Sequence, residues 1–315
     1  MTTGIRLTKN TGRWLIIIGL ATVLVIFWLS LSAHQATLDP NDILRNIMAQ
    51  AIEDNNSKLS CAVLVWRTEQ KYFGPWSNKP EITGHHQLWW DNKKTAIKCT
   101  TNTAYHDPND RVSSSQETYS MTYDGKRFRI ADIPVGSAGR VEIGIFKKPT
   151  SLFYRNNYLH SMGWQGSGGL NDVSKATEPG VENWSTEKGN AIKYTFHSAK
   201  TGQVVIRTYG IEKACGLVTA EIFSKDNTLQ RKTTVQYEQV SGGAWFPVSV
   251  ISESYSIQNG ELVYRHRTEL DIDKSVFNDR SAIPEDVFEL KIGPNTNVTD
   301  LTSLKTRLKR FLNNF

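Results

Sequence analysis

The chain has 315 residues, of which 39% are hydrophobic and 10% aromatic. This composition supplies enough apolar surface for a folded core and excludes a chain that is disordered throughout. The formal net charge of +6 is concentrated at the two ends, with Arg6, Lys9 and Arg13 at the start and a surplus of basic side chains in residues 300–315. The central part is therefore balanced in charge, which argues against nucleic-acid binding by a basic stripe on the folded body.

The first predicted element is a transmembrane anchor at residues 14–33. The run from Trp14 to Ser32 has no charged residue, and at about 1.5 Å per residue it crosses an apolar bilayer core of about 30 Å. Basic residues precede it, whereas Asp39 and Asp42 are the first charges after it. The positive-inside rule places residues 1–13 in the cytoplasm and the bulk of this single-pass protein on the extracytoplasmic, periplasmic side. The alternative is a signal peptide cleaved near Ser30-Leu31-Ser32.

A helix and a first series of strands follow. Asp39-Pro40 is typical of a helix start, and apolar residues at helical spacing predict a helix to about Asn55-Asn56. From Leu59 the period changes to two, and both alternating sets as far as Thr68 are largely apolar, which predicts a strand covered on both faces. Further strands turn at Asp91-Asn92 and at Asp124-Gly125, of which the second is a strong hairpin signal.

The middle of the chain interrupts this pattern. Residues 150–162 predict a short helix, and the glycine-rich, polar stretch to Gly189 predicts a lid, a long loop or a weak boundary. From Ile192 to Ile272 strands alternate with short turns, which predicts an antiparallel meander. Residues 34–299 are therefore predicted to form one exported β domain. Residues 300–315 predict an amphipathic helix with a basic face, which either packs on the sheet or binds a membrane or partner.

Three cysteines, Cys61, Cys99 and Cys215, lack the spacing of a zinc site. In an oxidising compartment Cys61 and Cys99 could pair if both point to the core from neighbouring strands. The alternative is three buried free thiols.

No catalytic residue, cofactor site or metal site is predicted, and no ligand-binding residue can be named. His85 and His86 are adjacent on a strand and should point to opposite faces, which makes them poor joint ligands. His106, Asp107 and Asp110 could hold a cation, although a plain Asp-Pro-Asn turn is the favoured interpretation. The common hydrolase, phosphate-loop and zinc-protease motifs do not occur in the sequence. A Ser-His-Asp triad assembled from distant residues stays open.

Adjacent Trp89 and Trp90 should also face opposite sides of their strand. One can enter the core, and the other needs a second cover or a ligand. Either a helix or an apolar ligand could therefore lie on the concave side of the sheet.

Several of these segments resemble the LolA-like envelope proteins, which include lipoprotein carriers and related sensor domains. The resemblance covers about residues 39–300. It lies in the leading helix, the Leu59–Thr68 strand and the following segments: Leu88-Trp89-Trp90, Tyr123-Asp124-Gly125-Lys126-Arg127-Phe128, Ala244-Trp245-Phe246-Pro247, Asp286–Leu290, Gly293 and Val298-Thr299-Asp300. It implies an α+β, mainly antiparallel β fold: a curved half-barrel sheet with helices on the concave side. It also implies a cavity for acyl chains or lipidated proteins, without catalysis. The expected anchor and basic terminal helix depart from soluble carriers of this family.

The sequence therefore predicts a non-enzymatic, membrane-tethered envelope domain that binds a lipid or lipidated protein. One alternative is a structural or regulatory envelope protein that binds another protein, and a third hypothesis is an unrecognised hydrolase. The sequence predicts neither the ligand nor the oligomeric state. Asn55, Asn183 and Asn297 lie in glycosylation triplets that matter only in a glycosylating host.

Overall fold

A computed structural model of the chain describes residues 40–91, 94–106, 112–133, 141–147, 180–187, 190–290 and 296–300. The predicted anchor, the predicted helix at 150–162 and residues 301–315 of the predicted terminal helix lie outside these ranges. Within the described part no helix has the length and apolarity needed to cross a bilayer. By internal contacts the chain divides into two compact units, Met1–Ile47 and Met48–Phe315. The described part of the first unit is the start of helix α1.

Helix α1 spans Pro40–Ser57, which confirms the predicted leading helix. From Met48 onward the helix belongs to the second unit, and it is joined to the sheet there through Asn55, which is only 6% exposed. Amide Nδ2 of Asn55 donates to the carbonyl oxygen of Trp245 at 2.9 Å, and Oδ1 accepts from the backbone N–H of Trp245 at 2.8 Å. Both polar groups of a buried amide are thus satisfied by one residue of the sheet.

The strands of the second unit form a single, open, curled sheet. Their bounds are β1 Cys61–Tyr72, β2 Glu81–Asp91, β3 Lys94–His106, β4 Val112–Tyr123, β5 Phe128–Ile133, β6 Val141–Phe146, β7 Gly180–Glu187, β8 Ala191–Ser198, β9 Val204–Gly210, β10 Gly216–Phe223, β11 Leu229–Val240, β12 Ala244–Tyr255, β13 Leu262–Leu270, β14 Val276–Phe277 and β15 Thr296–Asp300. The order across the sheet is β15-β6-β5-β4-β3-β2-β1-β13-β12-β11-β10-β9-β8-β7, with the short β14 also paired to β1. Described pairs are antiparallel except β15 with β6. Two meanders therefore meet where β13 pairs with β1.

Alternation along β1 defines two faces of this sheet. The Trp66 face bears the even-numbered side chains of β1, and the Arg67 face bears the odd-numbered ones. Ala62, Leu64 and Trp66 belong to a buried cluster that also contains Leu88, Phe128 and Phe246. Cys61 and Val63 belong to a second cluster, which contains Ile283 and Phe288. The prediction of a strand covered on both faces is confirmed.

Trp89 and Trp90 lie on opposite faces, as predicted. Trp90 is part of the buried cluster on the Trp66 face, and Trp89 packs on the cluster that contains Ile283 and Phe288. The second cover that Trp89 requires is therefore a later segment of the same chain, not a ligand.

Of the two alternatives for the cysteines, the structure has the free thiols and not the Cys61–Cys99 disulfide. Both residues and Cys215 are buried free thiols. Cys61 pairs in register with Asp91 on the Arg67 face, whereas Cys99 pairs with His86 on the Trp66 face. The two thiols point to opposite sides of the sheet, so no rotation of the side chains can join them.

The prediction of a polar, irregular stretch up to Gly189 is wrong for its last part. Residues Gly180–Glu187 form strand β7, an outer strand of the described sheet, paired with β8 on one side. Trp184 is its buried anchor at 5% exposure. The rest of the predicted strands from Ile192 to Leu270 are confirmed, with Ile272–Lys274 forming a short 3₁₀ turn instead of extending β13.

Candidate functional site

The Trp66 face is the sheltered side of the central sheet. On β1, β2 and β13 the Arg67 face is covered at Cys61, Val63 and Trp89, but six of its residues farther along the strands are exposed, namely Arg67, Glu69, Thr83, His85, Arg265 and Arg267. Their neighbours on the Trp66 face are buried or half-buried, namely Thr68, Gln70, Gly84, His86, His266 and Thr268. Because both sets come from the same strands, the difference in exposure depends on the face of the sheet and not on the position along the chain.

Small side chains form the middle of this sheltered face. Register places Thr68 between Thr268 on β13 and Gly84 on β2, and the same rows continue across β12, β11 and β10. We call this set the small-residue floor; its members are Thr68, Gly84, Ala220, Thr233, Val235, Val250, Ser252 and Thr268. Six strands at about 4.8 Å spacing make the floor about 24 Å long. One acyl chain spans about 15 Å, half the apolar thickness of a bilayer.

Aromatic rings bound the floor along its two sides. Trp66 and His86 stack with ring centroids 4.9 Å apart and planes within 11°. On the other side Tyr72 and Tyr264 lie 5.0 Å apart. We infer a depression across the strands, because large rings flank the small side chains on both sides.

A second aromatic group lies at the far end of the same face. Trp184 lies 4.6 Å from Tyr194 and 6.2 Å from Tyr209. All three are buried, and Tyr194 pairs in register with Arg207, the neighbour of Ala220.

His86 leans over the floor from β2. Its Nε2 lies 2.9 Å from the Oγ1 atom of Thr68, and a Cβ added to Gly84 would lie only 2.3 Å from that nitrogen. Glycine at position 84 is therefore what allows the ring to lie there. His86 is 7% exposed, and its Nδ1 has no hydrogen-bond partner among the described residues. Burial first, and then His85 and His266, lower the pKa of His86 to about 4, so its ring is neutral at pH 7.

His266 lies beside the floor on β13, between Gln70 and Ser252. Its buried Nε2 also has no hydrogen-bond partner in the described part of the chain, and burial lowers the pKa of its imidazole. Two unpartnered imidazole nitrogens on one sheltered face are unusual, since buried polar atoms are nearly always bonded.

Arg231 stands at the edge of the depression on β11, in register with Ser254. Burial, followed by Tyr72, raises the pKa of Tyr264, and the positive charge of Arg231 opposes that rise. Arg231 therefore lies close enough to Tyr264 for its charge to act on the phenol.

The charges of the central sheet are separated by side. Beyond the register shift in β11, Glu238 pairs with Phe246 of the buried cluster. On β1–β3, β9, β10, β12, β13 and the part of β11 up to Gln236, the carboxylates lie on the Arg67 face; they are Glu69, Glu81, Asp91, Glu221, Glu253 and Glu269. Most have a cationic partner there, as in Arg265–Glu253 at 2.8 Å and Arg280–Asp91 at 3.0 Å. On the Trp66 face of these strands the ionisable nitrogen groups are His86, Arg207, Arg231 and His266.

A cavity of about 560 Å³ beside Arg67 and Glu269 has a mixed polar and apolar lining. Register places four of its side chains in one row across β2, β1, β13 and β12: His85, Arg67, Glu269 and Ser249. The ion pair of Arg67 with Glu269 lies between His85 and Ser249, which are about 14 Å apart at three strand spacings. This row does not bring a serine nucleophile to a histidine base.

Other residues singled out from the sequence do not gather at the depression. His85 points away from His86, as predicted. His106 ends β3, and Asp107 and Asp110 lie outside the described residues, as does the glycine-rich stretch at 166–169. In the described part of the chain no group of His, Cys, Asp and Glu side chains has the arrangement of a metal site.

A scan against protein-family models finds no matching family, and a search of curated proteins finds no relative. Among solved structures, one neighbour is a LolA superfamily protein from Nitrosomonas europaea, 12% identical, with a TM-score of 0.38; the alignment covers 77% of this chain and 97% of that one. Another is a DUF1329 family protein from Desulfovibrio piger, 9% identical, with a TM-score of 0.37, covering 80% of this chain and 98% of that one. The likeness to the LolA superfamily is remote. The sequence motifs resemble the same superfamily.

Sequence reasoning missed the floor, His86, His266 and Arg231 as a group. The alternation in β1, β2, β11 and β13 does assign each of them to a face within its own strand. What the sequence lacks is the register between β1 and β13, whose partners are about 200 residues apart in the chain.

Proposed function

We propose that this protein is a non-enzymatic binding domain that holds the acyl chain of a lipid or of a lipidated protein against its Trp66 face. The observation that carries the proposal is the small-residue floor, sheltered on its side of the sheet and bounded by the Trp66–His86 and Tyr72–Tyr264 rings. Burial of each methylene of an acyl chain contributes about 0.8 kcal/mol, so a long chain lying across β10–β13, beside the His86 ring that covers Gly84 and Thr68, has a large driving force.

The proposal also includes a membrane tether. The charge-free run from Trp14 to Ser32 and the basic residues before it support an anchor with a cytoplasmic N-terminus and a periplasmic or other extracytoplasmic domain. A tether of this kind favours binding at a fixed bilayer over transport of a lipid between membranes. The half-barrel arrangement with helices on the concave side belongs to this proposal as well.

The test uses two neighbouring threonines on β11. Thr233 is a member of the floor and pairs with Ala220, whereas Thr234 pairs with Thr219 and Ile251 on the Arg67 face. Both are half-buried, so Thr233→Phe and Thr234→Phe make the same chemical change on opposite sides of one strand.

The full chain in membranes would be incubated with a photoactivatable palmitic acid, illuminated and purified, and the labelled fraction would be measured. We expect efficient labelling of the unmodified chain and of Thr234→Phe, and strongly reduced labelling of Thr233→Phe, whose ring fills the floor. Equal labelling of the two variants would overturn the proposal. An unlabelled chain that instead captures another envelope protein would favour the structural or regulatory alternative.

A further inference from the structure

The separation of charge between the two faces carries information about the head group of the ligand. On the described strands around Arg231, which are β9, β10, β12, β13 and β11 up to Gln236, the Trp66 face has no carboxylate, whereas the Arg67 face holds Glu221, Glu253 and Glu269. A depression meant for an uncharged chain alone does not need a cation at its edge. An uncompensated cation beside a sheltered surface attracts an anionic ligand.

Arg231 is the cation that best fits this role. It is exposed at the edge of the depression and has no carboxylate partner among the described residues. Its neighbour in sequence, Lys232, points to the other face and is paired with Glu221 at 3.3 Å. The charge of Lys232 is thus already neutralised on the Arg67 face, whereas Arg231 lies on the same face as the small-residue floor.

Polar side chains of the described strands lie between Arg231 and the apolar end of the face. His266 is in the next row of side chains after Tyr264, and its Nε2 is buried and without a partner in the described part of the chain. The hydroxyl group of Thr233 bonds that of Ser252 at 3.1 Å. Polarity therefore decreases from Arg231 through His266 to Trp66 and the buried cluster, which matches an amphiphile lying with its head at Arg231.

We propose that the ligand of the Trp66 face is an anionic amphiphile, a single-headed lipid whose carboxylate or phosphate group is held by Arg231 while its chain lies along the small-residue floor. This inference rests on the proposed acyl-chain function and specifies its ligand class. A guanidinium group recognises carboxylate and phosphate alike, since both offer paired anionic oxygens to its parallel N–H groups.

The test compares competitors for the photoactivatable palmitic acid on the full chain. Palmitic acid and monohexadecyl phosphate should compete well, methyl palmitate about tenfold less well, and inorganic phosphate not at all, because the chain supplies most of the affinity. Arg231→Gln should weaken competition by the two anionic amphiphiles about tenfold and leave methyl palmitate unchanged. Lys232→Gln, the control with the same loss of charge, should change none of them.

Equal competition by palmitic acid and its methyl ester would overturn the head-group assignment and leave the acyl-chain function standing. An equal effect of Arg231→Gln and Lys232→Gln, or full competition by inorganic phosphate, would also overturn it. Absence of labelling in every arm would remove both proposals together.

Discussion

Asn55 and Trp245 are joined by two hydrogen bonds between a side-chain amide and a single backbone residue, at 2.9 and 2.8 Å. The pair fixes the end of α1 to the start of β12 across 190 positions of sequence. Asn55 also lies in a glycosylation triplet, but its amide is buried and already bonded. Asn183 and Asn297 are exposed on β7 and β15, so they are the candidates for modification in a glycosylating host.

Replacing Asn55 by alanine should lower the free energy of unfolding by about 2–3 kcal/mol, because two backbone groups of the half-buried Trp245 lose their partner. Guanidinium denaturation of the detergent-solubilised chain, followed by tryptophan fluorescence, measures this. Asn56→Ala, one residue further along the helix, is the control and should change stability by less than about 0.5 kcal/mol. Similar losses in both variants would contradict the role given to the Asn55 amide.

Stability should depend on pH through His86. Its pKa is about 4 in the folded chain against about 6.5 when unfolded. The unfolded chain therefore binds a proton more readily, and the stabilisation is complete above about pH 6.5 and declines as the pH falls towards 4. Between pH 7.5 and 5 the loss from this group should be about 2 kcal/mol. His266, whose pKa is also lowered, adds a loss of the same sign.

The comparison for this pH dependence is between two adjacent histidines. His86→Gln removes the titrating group and should flatten the pH profile of the unfolding free energy. His85→Gln, on the exposed Arg67 face, should keep the slope of the unmodified chain. A His86→Gln profile as steep as that of His85→Gln would show that the ring at position 86 is not the source.

Gly84 should resist substitution because of His86. An alanine methyl group at position 84 would lie 2.3 Å from Nε2 of His86 and 2.5 Å from Oγ1 of Thr68, and the His86 ring is also held by Trp66. Gly84→Ala should therefore destabilise the chain by about 1–3 kcal/mol. In the His86→Ala background the same change should cost clearly less, which a double-mutant cycle measures. Additive effects would contradict the proposed contact.

A strained turn after β9 should accept glycine. Ala214 and Cys215 have φ values of +54° and +56°, a left-handed conformation that non-glycine residues adopt at some cost. Ala214→Gly should therefore raise the free energy of unfolding by about 0.5–1 kcal/mol. Ala220→Gly, within β10, should lower it by a similar amount, since an extended strand gains nothing from glycine. A loss of stability in Ala214→Gly would contradict the strain assigned to this turn.

Local patterns were sufficient for most of the described sheet. The Asp124-Gly125 hairpin and the meander from Ile192 to Leu270 follow from period-two alternation and turn residues, which act over a few positions. Strand β7 was not predicted, because Trp184 is its single large apolar residue in a stretch of polar and small ones. Pairing with β8 stabilises β7 as a strand, although its own composition does not predict one.

The candidate site depends on contacts that no local pattern contains. The cover over Trp89 comes from Ile283 and Phe288, nearly 200 positions away. The failure of Cys61 and Cys99 to pair follows from which faces β1 and β3 share after β2 is placed between them. The sidedness of the carboxylates is present within each strand, but becomes a property of a surface only when the strands are in register.

The central claim, that an acyl chain lies on the Trp66 face, is tested most directly by cross-linking in the cell that makes the protein. Val250 belongs to the floor, and Ile251 follows it on the Arg67 face of β12; a photoreactive benzoylphenylalanine would replace each in turn in the full chain. Illumination followed by intact-mass measurement should give a lipid-sized adduct at position 250 and none at 251. The same adduct at both positions, or its absence at position 250, would contradict the account.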